Sequence, residues 1–430
     1  MDNFREKNQV DGKIAVNSGD SVNESGVEQV DASSHFVAVS SRTQTLWQMF
    51  VIMMGFTFFS PSMIAGGQLG LGLNMRDFII AVVLGNLFLC IYTGLLGYVG
   101  QQTGFSLDAL AMKSFGVKGS FVPSLLIGIT QMGWTGVGLA MFALPVANYF
   151  NMNPYLLVAI FGILVLWTTL HGVKGIAALG TTAVPAILIL GLYSTYVSVD
   201  AVDGVAHLFS DNPAKPLTMS TALSIVIGNF ISGGTATPNF TRYGKNAVPT
   251  IIATGIAFFI GNILMFVFGA SGAGAFGKAD IFDVLIMQGL AIPGVLSLGF
   301  NIWTTNNNSL YTAGLSFSSV SKMSFKKSTV LMGVLATLLS VFLYNNFTAY
   351  LSFLGAMIPP IGGIIIVHYF MHRKDYQDQS FSDTIDYKAI IALVIGILFG
   401  TFYQHGIASV NSLVMTVVVY LFASLIQKAK

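Results

Sequence analysis

Twelve long apolar stretches, separated by short polar segments, constrain this chain more than any other feature of its sequence. A helix needs about 20 apolar residues to cross a bilayer, and each stretch approaches or exceeds that length. The stretches lie at about 46–73, 77–100, 120–148, 154–172, 176–197, 219–241, 248–273, 283–317, 328–344, 347–370, 388–404 and 407–427. Since 54% of the 430 residues are hydrophobic and only 9% are charged, a soluble globule of this size would lack a polar surface.

These stretches do not alternate between apolar and polar residues as the strands of a membrane barrel do, so helices must pair the backbone polar groups. The sequence therefore predicts an all-α polytopic membrane protein with about 12 transmembrane helices. If successive loops alternate sides, one side holds only three of the 20 Lys and Arg residues, namely Arg76, Lys215 and Lys278. By the positive-inside rule, this asymmetry predicts cytoplasmic N- and C-termini in the inner (plasma) membrane.

Residues 1–43 are polar and contain no apolar core that a signal peptide would require. We expect this segment to be a disordered cytoplasmic tail, followed by a transmembrane domain over residues 44–430. The net charge of +2 is too small to indicate nucleic-acid binding, and no obligate protein partner is evident. Cys90 is the only cysteine, so it can form neither a disulfide framework nor a metal cage.

Two of the predicted spans contain residues that disfavour a continuous helix. The first has Gly, Ser and Pro between Gly55 and Ser62, and the sixth has paired glycines between Gly228 and Thr235. Gly55 and Gly228 are 173 residues apart, which suggests two inverted repeats of five helices. The first repeat would cover about 46–197, the second about 219–370, and two peripheral helices about 388–427. The alternative is two ordinary kinks, since Gly and Pro are common in membrane helices.

Uncharged polar side chains lie at membrane depth, whereas ionisable ones such as Asp108 and Arg242 fall at predicted helix ends, where we expect them to be solvated or to cap helices. The uncharged set is Thr57, Ser60, Ser62, Gln131, Trp134, Asn229, Ser232, Thr235, Asn301, Thr304, Thr305, Asn306, Asn307 and Asn308. Amides and aromatic faces suit a small, neutral, planar molecule with a hydrogen-bonding edge. Alternatively, such residues hold helices together. No catalytic motif or buried carboxylate pair is present, so an enzyme is not indicated.

Several motifs in order resemble the bacterial cytosine permeases of the nucleobase:cation symporter family, which includes the hydantoin transporter. They are residues 57–60 (TFFS), 115–120 (FGVKGS), 131–134 (QMGW) and 301–306 (NIWTTN). The resemblance extends from about residue 46 to the last span. It implies a leucine-transporter-like inverted repeat of five plus five helices with two peripheral helices, and sodium-coupled uptake of cytosine.

The resemblance also implies roles for individual residues. Trp134 and Phe230 would stack on the two faces of the pyrimidine, Phe59 would close one side, and Gln131, Ser232 and Asn306 would bind the polar edge. A sodium ion, the only non-protein group implied, would bind the carbonyls of Gly55 and Phe58 and the oxygens of Asn301, Thr304 and Thr305. The chain departs from the family pattern at Asn229, where serine is more usual, and at Asn307, where aspartate is common.

Two other readings stay open at this stage. One is a sodium- or proton-coupled symporter of another small heterocycle, such as a purine, a hydantoin or a thiamine-precursor pyrimidine. The other is a channel, although paired helix breaks within an inverted repeat fit alternating access better than a pore.

Overall fold

The computed structural model describes residues 13–15, 35–403 and 405–429 of the chain, and this part is almost entirely helical. The helices are α1 (Leu46–Thr57), α2 (Ser60–Gly72), α3 (Met75–Thr103), α4 (Leu107–Phe115), α5 (Phe121–Phe150), α6 (Pro154–Thr169), α7 (Gly172–Ala201), α8 (Met219–Thr235), α9 (Pro238–Thr241), α10 (Ala247–Ile256), α11 (Asn262–Phe276), α12 (Ile281–Met287), α13 (Ala291–Ser321), α14 (Phe325–Asn345), α15 (Phe347–Met357), α16 (Pro359–Met371), α17 (Tyr387–Phe402) and α18 (Ala408–Ala429). A π-helical turn joins α10 to α11.

Seven of the described helical segments are long and apolar enough to cross a membrane, or eight if α1 and α2 form one bent span. Two shorter apolar helices, α6 and α17, add to these. The prediction of an all-α polytopic membrane protein is therefore confirmed, and the arrangement is compatible with the predicted 12 spans. Many large apolar side chains face outward, for example Leu338 at 74% exposure and Phe402 at 75%. A lipid environment explains this exposure.

The long helix α13 runs beside α5 near the centre of the molecule, and α14 packs against both. Helix α2 packs closely against α11, and small residues permit the short separation. A Cβ atom added at Gly269 of α11 would lie 1.7 Å from the Met63 carbonyl oxygen, and one added at Gly66 would lie 2.2 Å from the Phe266 carbonyl oxygen. These two helices therefore touch through their backbones.

The first predicted helix break is present. Helix α1 ends at Thr57, the next two residues are extended, and α2 begins at Ser60 with Pro61 in its first turn. The axes of α1 and α2 differ by 54°. Proline has no N–H group to continue the helix and its φ suits a first turn, so the sequence supports a new helix at this point.

The second break was predicted at 228–235, and that position is wrong. Helix α8 continues through Gly228 as far as Thr235, and the chain turns at Ala236 before α9. The paired glycines instead allow close packing, since a Cβ atom at Gly234 would lie 2.7 Å from Thr93 Cγ2. Helix α8 ends where Pro238 cannot donate a backbone hydrogen bond.

The last part of the predicted tail packs against the helices. Val37 is 1% exposed, and its N–H donates to the Gly104 carbonyl (2.8 Å). Further along, the Gln44 N–H donates to the Tyr243 carbonyl (3.0 Å), so the start of α1 lies beside the end of α9. Residues 13–15 pair antiparallel with 380–382, and the remainder of the tail lies outside the described residues. We refer to this face of the molecule as the N-terminal side.

The contact between α2 and α11 predicts the effect of a small substitution. Gly269→Ala should destabilise the folded protein by about 1–3 kcal/mol, the usual cost of overpacking, because the Met63 carbonyl leaves no space for a methyl group. Gly94→Ala is the matched control, since the nearest atom to a Cβ there is 4.0 Å away. Thermal unfolding in detergent measures both, and equal transition temperatures would contradict the packing argument.

Candidate functional site

Oxygen atoms from the helix break and from α13 converge on one point. The Gly55 carbonyl accepts hydrogen bonds from the hydroxyls of Thr304 (3.3 Å) and Thr305 (3.1 Å). The Phe58 carbonyl accepts from Thr305 (3.2 Å) and from the Asn301 amide (2.5 Å). The Asn301 carbonyl is a further acceptor within reach of these hydroxyls, at 2.8 and 3.2 Å, so the single proton of each hydroxyl has more than one carbonyl available to it. The structure thus brings together all five residues predicted for the cation site.

The local sequence explains this convergence. Positions 301, 304 and 305 have the i, i+3, i+4 spacing that places residues on one helix face. Asn301 also accepts from the N–H and the hydroxyl of Ser60, both at 2.9 Å, so it spans the break and holds the start of α2. The described residues contain no group of three His, Cys, Asp or Glu side chains suited to a metal ion. The five-residue set instead offers neutral oxygens, which suit a hard monovalent cation at an unwound helix.

Aromatic rings gather next to these oxygens. The Phe59 ring is in edge contact with Trp134 (centroids 5.4 Å apart, planes at 70°) and with Phe230 (6.5 Å, 87°). Two rings of α15 close over Trp134 from the other direction, namely Tyr350 at 5.4 Å and Phe347 at 5.9 Å. The three predicted aromatic residues are therefore neighbours, and Phe59 touches both of the rings predicted to stack on a ligand.

The space enclosed by these rings is small in this conformation, about 10 Å³. That volume is close to the minimum for a single water molecule. It is lined by Phe56, Phe59, Gln131, Trp134, Asn229, Phe230, Gly233, Thr305 and Ser309. A planar ring can enter only if aromatic side chains move apart, so the structure represents a closed conformation of the site.

Unpaired amide oxygens define the polar edge of this cavity. Gln131 donates from its amide to the Ser232 hydroxyl (2.8 Å), and Asn229 donates to the Ser62 hydroxyl (2.8 Å). The two amide oxygens, Gln131 Oε1 and Asn229 Oδ1, are buried and have no hydrogen-bond partner in the described structure. A buried acceptor without a partner is unfavourable, so both atoms are suited to a ligand that donates hydrogen bonds.

Asn306 and Asn307 face different helices. The Asn306 amide donates to the Thr135 carbonyl of α5 (3.1 Å), and its oxygen, which has no hydrogen-bond partner in the described structure, lies against Gly138 rather than in the cavity lining. Asn307 accepts from Thr168 and Thr169 of α6, both at 2.8 Å. The departure from the family pattern at position 307 therefore lies away from the aromatic cavity, whereas the one at Asn229 lines it.

Three lining residues were missed by the sequence analysis: Phe56, Gly233 and Ser309. Ser309 could have been found, since it follows Thr305 by four residues on the same helix face. Gly233 matters because it has no Cβ atom. A Cβ atom at this position would lie 2.7 Å from the Phe230 ring and 3.0 Å from Phe56. No motif indicates that contact, because it depends on how α8 packs against α1.

A buried polar network lies on the N-terminal side of the molecule. Arg242 is fully buried and donates to the hydroxyls of Tyr243 and Tyr311, each at 3.1 Å, and to the Asn239 carbonyl (3.2 Å). Asn239 in turn donates to the Thr312 hydroxyl (3.3 Å). These bonds join the segment after α8 to α13. Arg242 was expected to be solvated or to cap a helix. It is not solvated, because tertiary packing covers it, but it lies at the C-terminal end of α9 and donates to an α9 carbonyl, as a capping residue does.

Asp108 belongs to the same buried region. It was also expected to be solvated or to cap a helix, and it lies in the first turn of α4. It is 1% exposed and accepts from the Ser316 hydroxyl (3.1 Å), which ties α4 to α13. Burial raises the pKa of the Asp108 carboxyl to about 6, although the Ser316 hydroxyl and the charge of Arg242 act in the opposite direction.

Comparison with known proteins identifies the family. Residues 36–424 match a family described as permease for cytosine/purines, uracil, thiamine, allantoin. The chain belongs to this family. It is 46% identical over 398 residues to the cytosine permease of Escherichia coli (strain K12), covering 92% of this chain and 94% of the relative. It is 24% identical over 348 residues to the hydantoin permease of Microbacterium maritypicum, covering 72% and 70%. The protein is therefore a membrane transporter and not an enzyme.

Solved structures agree with the fold of this permease. A nucleobase-cation-symport-1 family transporter in a closed conformation with bromovinylhydantoin bound superposes with a TM-score of 0.79 at 19% identity, covering 91% of this chain and 94% of the other. A substrate-bound, outward-open sodium-coupled sialic acid symporter gives 0.72 at 14% identity, covering 92% of each chain. The leucine-transporter-like fold implied by the sequence motifs is thereby confirmed.

The buried carboxyl of Asp108 predicts a pH-dependent stability. The pKa of this carboxyl is about 6 in the folded protein and ordinarily 3.8. Burial favours the protonated form, so its contribution to stability is fully present below pH 3.8 and is lost as the pH rises through 6. Asp108→Asn mimics the protonated form. The difference in unfolding temperature between Asp108→Asn and wild type should therefore increase from pH 4 to 7. This increase corresponds to a change in the free energy of unfolding of at most about 3 kcal/mol.

Asp211→Asn, at an exposed carboxyl, is the control for this measurement and should show no such trend. A constant difference between Asp108→Asn and wild type across this pH range would contradict the assignment of a buried, destabilising carboxylate.

Proposed function

We propose that this permease is a secondary active transporter that takes up cytosine together with sodium by alternating access. It would lie in the inner membrane with both termini in the cytoplasm. The main support for this proposal is that two features lie side by side at the α1–α2 break. Neutral oxygens converge there from α1 and α13, and directly beside them lies a closed aromatic cavity with unpaired amide acceptors.

The cavity favours a neutral ring that donates hydrogen bonds. The amide nitrogens of Gln131 and Asn229 are already bonded within the protein, whereas their oxygens have no partner among the described residues. Cytosine offers a ring N–H and an exocyclic amino group as donors, and its two faces can stack on aromatic rings. Trp134 and Phe230 would hold those faces, with Phe59 closing one side. The cytosine permease of E. coli, 46% identical to this chain, supports the same substrate.

In this proposal Ser232 and Asn306 act at the polar edge together with Gln131. Ser232 accepts from the Gln131 amide and also bonds to the Thr130 hydroxyl (3.2 Å), which fixes the direction of the Gln131 side chain. Asn306 is held by the Thr135 carbonyl. Its oxygen would reach the ligand only after the cavity widens, because Asn306 does not line the closed cavity.

Sodium is the proposed coupling ion because its candidate ligands are uncharged. Carbonyls of Gly55 and Phe58 are linked to Asn301, Thr304 and Thr305 by hydrogen bonds of these three side chains. The threonine hydroxyls, which donate to the carbonyls in this structure, can rotate and present lone pairs to a cation. None of these groups titrates near neutral pH, so a proton would find no carrier among them.

Alternating access would open the site to one side at a time. The Arg242 network closes the N-terminal side and would separate when the transporter opens to the cytoplasm. We place the two inverted repeats at about 46–197 and 219–370, with peripheral helices at about 388–427, and propose that they move relative to each other. The closed 10 Å³ cavity favours such a carrier over a channel, which would need a continuous aqueous path.

Removal of the indole tests the substrate site. Trp134→Ala should weaken cytosine binding roughly 5- to 150-fold, because stacking on a base contributes about 1–3 kcal/mol. Equilibrium binding to the purified, folded variant measures this. Trp47→Ala is the matched control, since Trp47 is 62% exposed and does not line the cavity. Unchanged affinity in Trp134→Ala would remove this residue from the site.

Competition tests the hydrogen-bond pattern. Uracil carries a carbonyl where cytosine carries an amino group, so it would face the unpaired amide oxygens with an acceptor. We expect uracil to displace labelled cytosine poorly. Half-maximal displacement should need more than about ten times as much uracil as unlabelled cytosine. Equal displacement by the two bases would contradict the roles given to Gln131, Ser232 and Asn306.

Uptake into proteoliposomes tests the driving ion. An imposed sodium gradient should drive cytosine accumulation, and a protonophore should have little effect. Thr305→Ala should raise the sodium concentration for half-maximal uptake about tenfold or more, as expected for the loss of one ligand contact worth about 1.4 kcal/mol. Thr305→Ser keeps the hydroxyl and should remain close to wild type. Sodium-independent uptake that a protonophore abolishes would instead establish proton coupling.

A further inference from the structure

A stripe of buried polar side chains runs along α13 from the candidate cation site toward the N-terminal side. It consists of Thr304, Asn308, Thr312 and Ser316, which are four residues apart, and each is at most 1% exposed. Residues four apart are neighbours on a helix surface and about 6 Å apart along its axis, so the stripe extends over about 18 Å. It begins at a candidate sodium ligand and ends at Ser316, whose hydroxyl donates to the Asp108 carboxylate.

Asn308 has an unusual place in this stripe. It is 0% exposed, and neither its amide nitrogen nor its amide oxygen has a hydrogen-bond partner in the described structure. The two preceding amides differ, since Asn306 donates to α5 and Asn307 accepts from α6. A buried amide with both polar atoms unpaired is unfavourable. This position therefore favours a polar occupant other than the described protein groups.

The helix that faces the stripe does not supply that partner. Helix α1 bonds to α13 through the Gly55 carbonyl, which accepts from Thr304. Toward the N-terminal side, the side chains of α1 from Met49 to Met54 are all apolar. The backbone groups of a helix interior are already bonded within the helix. Asn308 thus lies against a helix that offers it no polar side chain over this length.

The surroundings of Asn308 favour a cation. Side chains of a helix lean toward its N-terminus, so Asn308 leans toward Thr304, a candidate sodium ligand. The Asn308 amide oxygen and the hydroxyls of Thr304 and Thr312 are neutral oxygens, which hard cations prefer as ligands. At the end of the stripe, Asp108 Oδ1 has no hydrogen-bond partner in the described structure, and an ionised carboxylate there attracts a positive ion.

Arg242 controls passage along the stripe in this conformation. Its guanidinium donates to the hydroxyl of Tyr311 (3.1 Å), the residue before Thr312, and Thr312 itself accepts from Asn239 (3.3 Å). A fixed positive charge in a buried site repels a cation strongly at short range. An ion therefore cannot pass Thr312 until the Arg242 network separates, as it would when the transporter opens to the cytoplasm.

We propose that Asn308 forms a second, transient sodium site, through which the ion leaves the candidate cation site toward the N-terminal side. The inference rests on the proposed function and deepens it by assigning the release route of the coupling ion. Sodium moves from Thr304 to Asn308 and, after Arg242 withdraws, past Thr312 and Ser316. It binds Asn308 more weakly than the candidate cation site, because fewer oxygens converge there, and weak binding suits a site of transit.

Asn308→Leu tests whether release depends on this amide. Leucine keeps the branched shape of asparagine and removes both polar atoms. Sodium-driven cytosine uptake into right-side-out vesicles requires sodium release inside, and its initial rate should fall about tenfold. Cytosine exchange with equal, saturating sodium on both sides does not require sodium release and should stay within about twofold of wild type. An equal loss in both assays would show a structural role and overturn the proposal.

Asn308→Asp tests whether sodium itself occupies the position. A carboxylate beside a bound cation should lower the sodium concentration for half-maximal cytosine binding about tenfold. The effect should be larger at about pH 8 than at about pH 6, because a carboxyl group binds a cation in its ionised form. Asn307→Asp is the matched control, since it introduces the same group one residue earlier, facing Thr168 and Thr169 of α6. It should leave the sodium dependence unchanged.

The outcomes separate this proposal from the proposed function. Equal shifts in Asn308→Asp and Asn307→Asp would indicate a long-range effect of charge and overturn the second site. Unchanged sodium dependence in Asn308→Asp would show that water alone pairs with Asn308, which would also overturn it. If Asn308→Leu does not fold, the two aspartate variants decide the question. Cytosine binding that is independent of sodium in wild type would instead contradict the proposed function.

Discussion

The hydrogen bonds between α13 and the interrupted first span are the interaction on which the rest of the structure depends. A chain that leaves the helical conformation inside a membrane exposes carbonyls and amides that hydrocarbon cannot satisfy. Here Asn301, Thr304 and Thr305 bond to the Gly55 and Phe58 carbonyls and to the first amide of α2. The same groups that make the break tolerable are those that can bind a cation, so the structural requirement and the proposed coupling share one set of atoms.

The break also determines the position of the aromatic cavity. Phe59 is one of the two extended residues between α1 and α2, and its ring reaches both Trp134 of α5 and Phe230 of α8. A cation that rearranged the Gly55 and Phe58 carbonyls would therefore act on the residue next to the ring that closes the cavity. This adjacency offers a physical route for the reciprocal strengthening of ion and substrate binding that coupling requires.

The two sides of the molecule are closed by different means. On the N-terminal side, Arg242 and Asn239 bond to Tyr311 and Thr312 of α13, and a buried guanidinium without such partners would be very unfavourable. On the other side only the short helix α15, through Phe347 and Tyr350, covers Trp134. This cover is held by ring packing and by a hydrogen bond from the Tyr350 hydroxyl to the Thr130 carbonyl, whereas opening the Arg242 network exposes several polar groups at once.

The sequence by itself determined the fold class through the length of its apolar stretches and the first helix break through Pro61. Its resemblance to the family indicated the five residues that converge at this break, and the i, i+3, i+4 spacing of Asn301, Thr304 and Thr305 explains why those three share one helix face. It could not place the end of α8, since Gly228, Gly233 and Gly234 suit a break and a close helix contact equally well. The burial of Asp108 and Arg242 and the direction of Asn307 were decided only by the tertiary structure. Each depends on which distant helix lies opposite a residue, and local spacing along one chain carries no information about that partner.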